Sequence, residues 1–117
     1  MTTCFYFIRS EAIEDIVNGS PYVFVIEINE ARGLSSGTGG FMSIDLYYVT
    51  VVEDLKGEPV MGNEIVVVFF ADTVFRGEQH IIAVEQVPNG SFYRFTSRDS
   101  LFRMDQLYEI MEILNNN

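Results

Sequence analysis

Tyr47-Tyr-Val-Thr-Val-Val-Glu53 and Glu64-Ile-Val-Val-Val-Phe-Phe70 are the two stretches that decide the fold of this chain. Both are rich in β-branched and aromatic residues, which are enriched in β-strands. The segment that joins them contains Leu55-Lys56-Gly57, in which Gly57 permits a tight turn and Lys56, the single lysine, is expected to keep the turn in solvent. The block therefore predicts two paired strands and carries no catalytic motif.

Further strand patterns lie on both sides of this block. Residues 22–31 are apolar on both faces in the first half, which predicts that other parts of the protein pack on both faces of this strand there. Residues 41–55 form a pattern too long for one regular strand and so predict a bend or bulge. Residues 64–71 are expected to be a fully buried run. Residues 79–87 and 91–95 flank Pro88-Asn89-Gly90, which predicts a hairpin.

A helix is predicted near each end of the chain. Residues 10–17 are typical of a short helix, with Ser10 placed to cap it. At the other end, four apolar residues recur at helical spacing: Leu107, Ile110, Met111 and Leu114. They predict an amphipathic C-terminal helix packed on the strands, with Asp105 or Ser100 as its cap.

The order of these elements favours one small domain. A chain of 117 residues is long enough to form one hydrophobic core without metal or disulfide support. A helix, five strand patterns and a second helix are compatible with a mainly β Greek-key barrel of the type that binds oligonucleotides and oligosaccharides, the OB-fold. We therefore expect an OB-fold-like barrel over residues 1–117.

The central block also resembles a known group of proteins. Tyr48-Val-Thr-Val-Val-Glu-Asp-Leu-Lys-Gly57, followed by Gly62-Asn-Glu-Ile-Val-Val67, is similar to bacterial proteins of unknown function with a barrel like the netrin-like domain of tissue inhibitors of metalloproteases. The resemblance covers residues 13–95 and implies a fold, because its motifs are turn and core signals. The inhibitors use an amino-terminal cysteine and several disulfides, whereas this chain has Cys4 alone, so their mechanism is not carried over.

Charge and cysteine content limit the classes of partner and the cellular compartment that we expect for this protein. The formal net charge is −10, with 17 acidic and 7 basic residues, and a field of that sign disfavours nucleic acids and anionic membranes. The single cysteine, Cys4, fits a reducing compartment, and the chain as given is expected to be cytoplasmic, or secreted or periplasmic if a leader precedes it. Because edge strands in apolar sheets need covering, a homodimer is one expected arrangement.

No motif predicts a cofactor, a metal site or a catalytic centre, so the leading hypothesis is a non-enzymatic binding or structural module. Its loops, residues 32–40 and 72–78, are expected to contact a protein or a small ligand. The residues that we assign to this contact are Arg32, Leu34, Phe41, Phe75 and Arg76.

Two alternatives stay open. The first is an acidic inhibitor or immunity-type protein that caps a basic site on its partner by charge complementarity. The second is a hydrolase that uses His80, the only histidine, with Asp72, Glu78 or Ser91 as its partner.

Overall fold

The computed structural model describes residues 12–34, 44–59, 62–88, 90 and 92–116, and it shows a mainly β protein with a closed five-stranded barrel. A short helix precedes the barrel and a second helix follows it. The elements are α1 (Ile13–Gly19), β1 (Tyr22–Leu34), β2 (Ile44–Lys56), β3 (Glu64–Phe70), β4 (Gln79–Gln86), β5 (Tyr93–Phe95), β6 (Leu101–Phe102), a 3₁₀ turn (Met104–Gln106) and α2 (Leu107–Asn115).

The barrel closes in the strand order β1-β2-β3-β5-β4, with β4 pairing back onto β1. All of these pairings are antiparallel except that of β3 with β5, which is parallel. In the described residues β3 and β5 pair at one position, Val67 opposite Tyr93. This order is that of an OB-fold-like Greek key, as predicted, and the hairpin predicted between β4 and β5 is confirmed.

The double covering predicted for β1 is confirmed. Phe24, Ile26 and Ile28 point into the barrel and belong to its interior core. Val23 and Val25 point outward into a second apolar cluster, which also contains Ile16 and Val17 of α1, Ile81 and Ala83 of β4, Phe102, and Ile110 of α2. One side of the barrel is thus covered by both helices, because β1 and β4 are apolar on both faces there.

The predicted irregularity of the long second strand is confirmed, and it lies in the pairing of β2 with β1. The register between β1 and β2 shifts at four places, and at two of them the extra residue lies on β2, at Leu55 and at Val52, as expected for a β-bulge. Val52 is exposed. The bulges bend β2 so that the sheet can curl and close.

The surroundings of Lys56 in the Leu55-Lys56-Gly57 turn differ from the sequence interpretation, whereas Gly57 has the positive φ expected of a turn glycine. Lys56 is not simply solvated, because its Nζ donates to the carbonyls of Val17 (3.1 Å) and Asn18 (3.0 Å) at the end of α1. Gly57 has φ +73°, and a Cβ there would lie 2.7 Å from the Pro21 carbonyl oxygen and 2.6 Å from the Tyr22 ring. The turn therefore fastens α1 and the start of β1 to the end of β2.

The prediction that residues 64–71 are fully buried is wrong. Ile65, Val67 and Phe69 are buried in the barrel interior, whereas the alternate residues, Val66, Val68 and Phe70, are half-buried. The physical reason is that no helix of the described part of the chain covers β3, since α1 and α2 pack over β1 and β4. A continuous apolar run thus gives a strand with one apolar face left at the surface.

The C-terminal helix is confirmed, but its orientation differs slightly from the predicted one. Ile110 is buried, and Leu107, Ile113 and Leu114 are half-buried, whereas Met111 is 38% exposed. Neither predicted cap is used: Asp105 lies within the 3₁₀ turn, and Ser100 is fully buried in a hydroxyl cluster with Thr96 and Ser20. Ala12 precedes α1 without a capping bond, and Ser10 lies outside the described residues.

Candidate functional site

The turn Phe75–Glu78, which we call the Phe75 turn, holds an aromatic side chain in solvent. Phe75 is 59% exposed. The amide of Glu78 donates to the Phe75 carbonyl (3.1 Å), and Gly77, with φ +90°, occupies a position that suits glycine. Gly77 N donates to Ile28 O and Ile28 N donates to Glu78 O, both at 2.8 Å, so that the turn is bonded to β1.

The chain just before this turn is fixed as well, because it closes one end of the barrel. Val74 is buried in the barrel core beside Ile28 and Phe69. Asp72 adopts φ +63°, an uncommon conformation that aspartate tolerates better than most residues, and its amide donates to buried Asp45 (Oδ2, 3.4 Å). A buried valine followed immediately by an exposed phenylalanine means that the loop is anchored while Phe75 faces solvent.

A carboxylate and an imidazole brace the same turn. Glu78 Oε1 accepts a hydrogen bond from the Phe75 amide at 3.0 Å and lies 2.9 Å from Nε2 of His80. Both hydrogen bonds lower the pKa of Glu78 below its ordinary value, and the one with His80 has the larger effect. Of the partners predicted for His80, Glu78 contacts it, Asp72 donates its backbone amide to Asp45, and Ser91 lies outside the described residues.

An open groove of about 330 Å³ runs beside the turn and is mainly acidic. It is lined by Glu27, Ile28, Asn29, Glu30, Glu64, Arg76 and Gly77. Asn29 Nδ2 donates to Thr50 Oγ1 (2.9 Å) and to Glu64 Oε2 (3.2 Å), which ties together β1, β2 and β3. Three carboxylates against one arginine make this groove suited to a cationic group.

A second surface feature is the outer face of β2 and β3, which we call the apolar face. Its members form directly opposed cross-strand pairs: Ile44 with Phe70, Leu46 with Val68, and Tyr48 with Val66. Ile44 is 37% exposed and the other five are half-buried. The polar pair Thr50 and Glu64 follows at the next position. In OB-folds the face of strands 2 and 3 is the surface that commonly binds ligands.

The apolar face ends in a cleft of about 150 Å³ at the junction of β3 and β5. The cleft is lined by Ile44, Val68, Phe69, Phe70, Arg94 and Phe95. Phe95 meets Phe69 edge-on, with ring centroids 5.6 Å apart, and Arg94 at the rim pairs with Glu85 (2.8 Å). The cleft lies beside the short parallel pairing, where β5 ends at Phe95.

The structure places the five predicted contact residues as follows. Phe75 and Arg76 are exposed and adjacent in the Phe75 turn, and Arg32 is exposed on β1. Leu34 ends β1, opposite Asp45 of β2. Phe41 lies outside the described residues. Asp45 in turn accepts the amide of Asp72, three residues before the Phe75 turn.

Sequence reasoning missed the apolar face. Its signal was the alternation of Ile44, Leu46 and Tyr48 with Asp45 and Tyr47, which places three apolar side chains together on one face of the strand. The interpretation of residues 64–71 as wholly buried hid the matching half on β3.

The fold therefore defines a small closed β-barrel of the OB-like class. No protein-family model matches the chain, and no curated protein is a significant match. The resemblance to netrin-like barrels stays a prediction. In the described ranges no three His, Cys, Asp or Glu side chains are grouped to hold a metal ion. No helix in the described part of the chain combines the length and apolar character needed to cross a membrane.

Proposed function

We propose that the protein is a non-enzymatic binding module that contacts a protein partner through the Phe75 turn. The observation that carries this proposal is the 59% exposure of Phe75 on a turn bonded to β1. Exposing an aromatic ring is unfavourable for a free monomer, and a rigid turn loses little conformational entropy when it binds. Aromatic and arginine side chains dominate binding energy at protein interfaces, and Arg76 follows Phe75 directly.

The apolar face supports the same role. Six apolar side chains in three cross-strand pairs form a continuous surface where an OB-like barrel commonly receives a ligand. The cleft at its end offers space for about one apolar side chain of a partner. A small ligand would find its apolar contacts here, whereas the Phe75 turn suits a protein surface.

The distribution of acids favours a second candidate, an acidic protein that caps a basic site. Glu27, Glu30 and Glu64 line the groove beside the turn. Glu14, Glu109 and Glu112 line a separate open groove between α1 and α2, of about 420 Å³. Two described grooves with three carboxylates each present concentrated negative charge to a basic partner, consistent with the net charge of −10.

Partner capture with matched variants tests the proposal. The immobilised wild-type protein, Phe75→Ser and Tyr108→Ser are compared in native lysate at low and at moderate salt. Tyr108 on α2 is the control, since its side chain is 87% exposed but lies outside the turn. A hot-spot aromatic contributes about 2 kcal/mol or more, so we expect Phe75→Ser to weaken binding of a captured partner by about 30-fold.

The outcomes separate the candidates. A partner retained by wild type and by Tyr108→Ser at both salt levels, and lost by Phe75→Ser, supports binding through the turn. A basic partner that is held only at low salt, equally by all three proteins, supports the acidic capping role instead. Equal retention by Phe75→Ser and wild type at moderate salt contradicts the proposal.

A further inference from the structure

We propose that Asn18 and Gly19, at the end of α1, form a site of spontaneous deamidation and that Lys56 protects this site in the folded protein. The inference goes beyond the binding role proposed above and does not depend on it. Asparagine is a thermolabile residue, and Asn18 is followed directly by a glycine. Both residues are exposed. Because glycine has no side chain to hinder its backbone nitrogen, an asparagine before glycine reacts more readily than one before a larger residue.

The reaction needs only water and the groups of these two residues. The backbone nitrogen of Gly19 attacks Cγ of Asn18 and closes a five-membered succinimide ring. The bond between Cγ and Nδ2 breaks, and ammonia leaves with the proton of the Gly19 amide. Water then opens the ring at one of its two carbonyl carbons, which gives aspartate or isoaspartate. In isoaspartate the main chain runs through Cγ, so the path between the two residues is longer by one carbon.

The helical backbone keeps the two reacting atoms apart. Gly19 is the last residue of α1, so Asn18 lies within the helix. Side chains on a helix lean back toward its amino terminus, whereas the nitrogen of the next residue lies toward the carboxyl terminus. The peptide group between Asn18 and Gly19 must therefore rotate out of the helix before its nitrogen reaches Cγ.

Lys56 holds this same peptide group in place. Its Nζ donates to the carbonyl oxygens of Val17 (3.1 Å) and Asn18 (3.0 Å). The peptide group is planar, so turning the Gly19 nitrogen toward Cγ also moves the Asn18 oxygen that Lys56 binds. The ends of helices open locally more often than the core of a protein. The bonds from Lys56 oppose this opening and so lower the population of the reactive form.

The chain on both sides of the peptide group is anchored, which confines the movement. Val17 is fully buried on one side. Ser20 is buried on the other side, and its Oγ donates to the carbonyl of Ile16 at 2.6 Å. Opening at this end of α1 is thus local to the two exposed residues, Asn18 and Gly19, and does not require the barrel to unfold.

Mass spectrometry of the protein held in neutral buffer measures the conversion of Asn18 to aspartate and isoaspartate. Wild type, Lys56→Met, Lys56→Arg and Gly77→Ala are compared, and each rate is divided by that of the same protein unfolded in urea. Gly77→Ala is the matched control, because its positive φ (+90°) makes alanine unfavourable at a turn that is bonded to Ile28. It lowers the stability of the barrel without touching α1. Asn29, which precedes a glutamate, is the internal control.

We expect Asn18 to convert more slowly in the folded wild type than in the unfolded chain. Lys56→Met should speed conversion in the folded protein about two- to fivefold, the effect of one exposed charged contact at a helix end. Lys56→Arg keeps the cation and should retain the protection. Gly77→Ala should leave the rate at Asn18 unchanged.

Three results would overturn the proposal. A rate in Lys56→Met equal to that of wild type removes the protective role of Lys56. An equal acceleration by Gly77→Ala shows that the reaction proceeds through unfolding of the whole barrel. Conversion of Asn18 no faster than that of Asn29 in the unfolded wild type removes the site itself. These measurements involve no partner, so they are independent of the capture experiment with Phe75→Ser.

Discussion

Replacing Gly57 by alanine probes the junction that joins α1, β1 and β2. With φ +73° a non-glycine residue costs about 1–2 kcal/mol. The added Cβ also lies 2.7 Å from the Pro21 carbonyl oxygen, a backbone atom that cannot rotate away, and overpacking of this kind costs about 1–3 kcal/mol more. We therefore expect Gly57→Ala to lower the free energy of unfolding by about 2–5 kcal/mol.

Gly62→Ala is the matched control for this experiment. Gly62 also has positive φ, +94°, but a Cβ there meets nothing within 4 Å, so only the conformational cost of about 1–2 kcal/mol applies. Each replacement stiffens the unfolded chain to the same degree, and this contribution cancels in the comparison. Urea unfolding measures both effects. If the free energy of unfolding falls by about 1.5 kcal/mol per molar urea, the urea concentration at the midpoint falls by about 1.3–3.3 M for Gly57→Ala and about 0.7–1.3 M for Gly62→Ala. Equal shifts would refute the close approach of Gly57 to Pro21.

Two further replacements test other links between elements. Lys56→Met keeps the length of the side chain but removes the donor to the last carbonyls of α1. We expect the free energy of unfolding to fall by about 1 kcal/mol and the melting temperature by about 3–6 °C. An unchanged melting temperature would show that this bond contributes nothing. Ser100→Ala removes a fully buried hydroxyl that accepts a hydrogen bond from the Ser97 amide at 3.0 Å and contacts Thr96. Urea unfolding should therefore show that the free energy of unfolding falls by about 1–3 kcal/mol. A stability equal to that of wild type would contradict this role.

Much of the barrel could be predicted because hydrophobic periodicity reports directly on strands. In β1 the residues at even and odd positions are both apolar as far as Ile26, and the structure covers both faces there. The pattern does not specify which strands the helices cover. Residues 64–70 are as apolar as the start of β1, yet neither α1 nor α2 packs on β3, and Val66, Val68 and Phe70 are half-exposed. That choice is made by tertiary packing, which local sequence does not encode.

The candidate site was predictable only in part, for a related reason. Loop composition indicated Phe75 and Arg76, and both are exposed. The bond between Glu78 and His80 was one of several pairings that the sequence allowed, and only the three-dimensional path of residues 71–78 across the barrel end selects it. In α2 the exposure of Met111 and the half-burial of Ile113 reflect a helix rotation that spacing alone leaves undetermined.

The pairing of β3 with β5 has a mechanical consequence. β4 is joined to β1 along Tyr22–Glu27, whereas β3 and β5 meet, among the described residues, at Val67 and Tyr93 alone. The barrel is thus a curled sheet fastened at one narrow seam, and separating that seam leaves the β1–β4 pairing intact. The apolar cleft lies along this seam, so its two walls are held together by one paired strand position among the described residues, against six between β1 and β4.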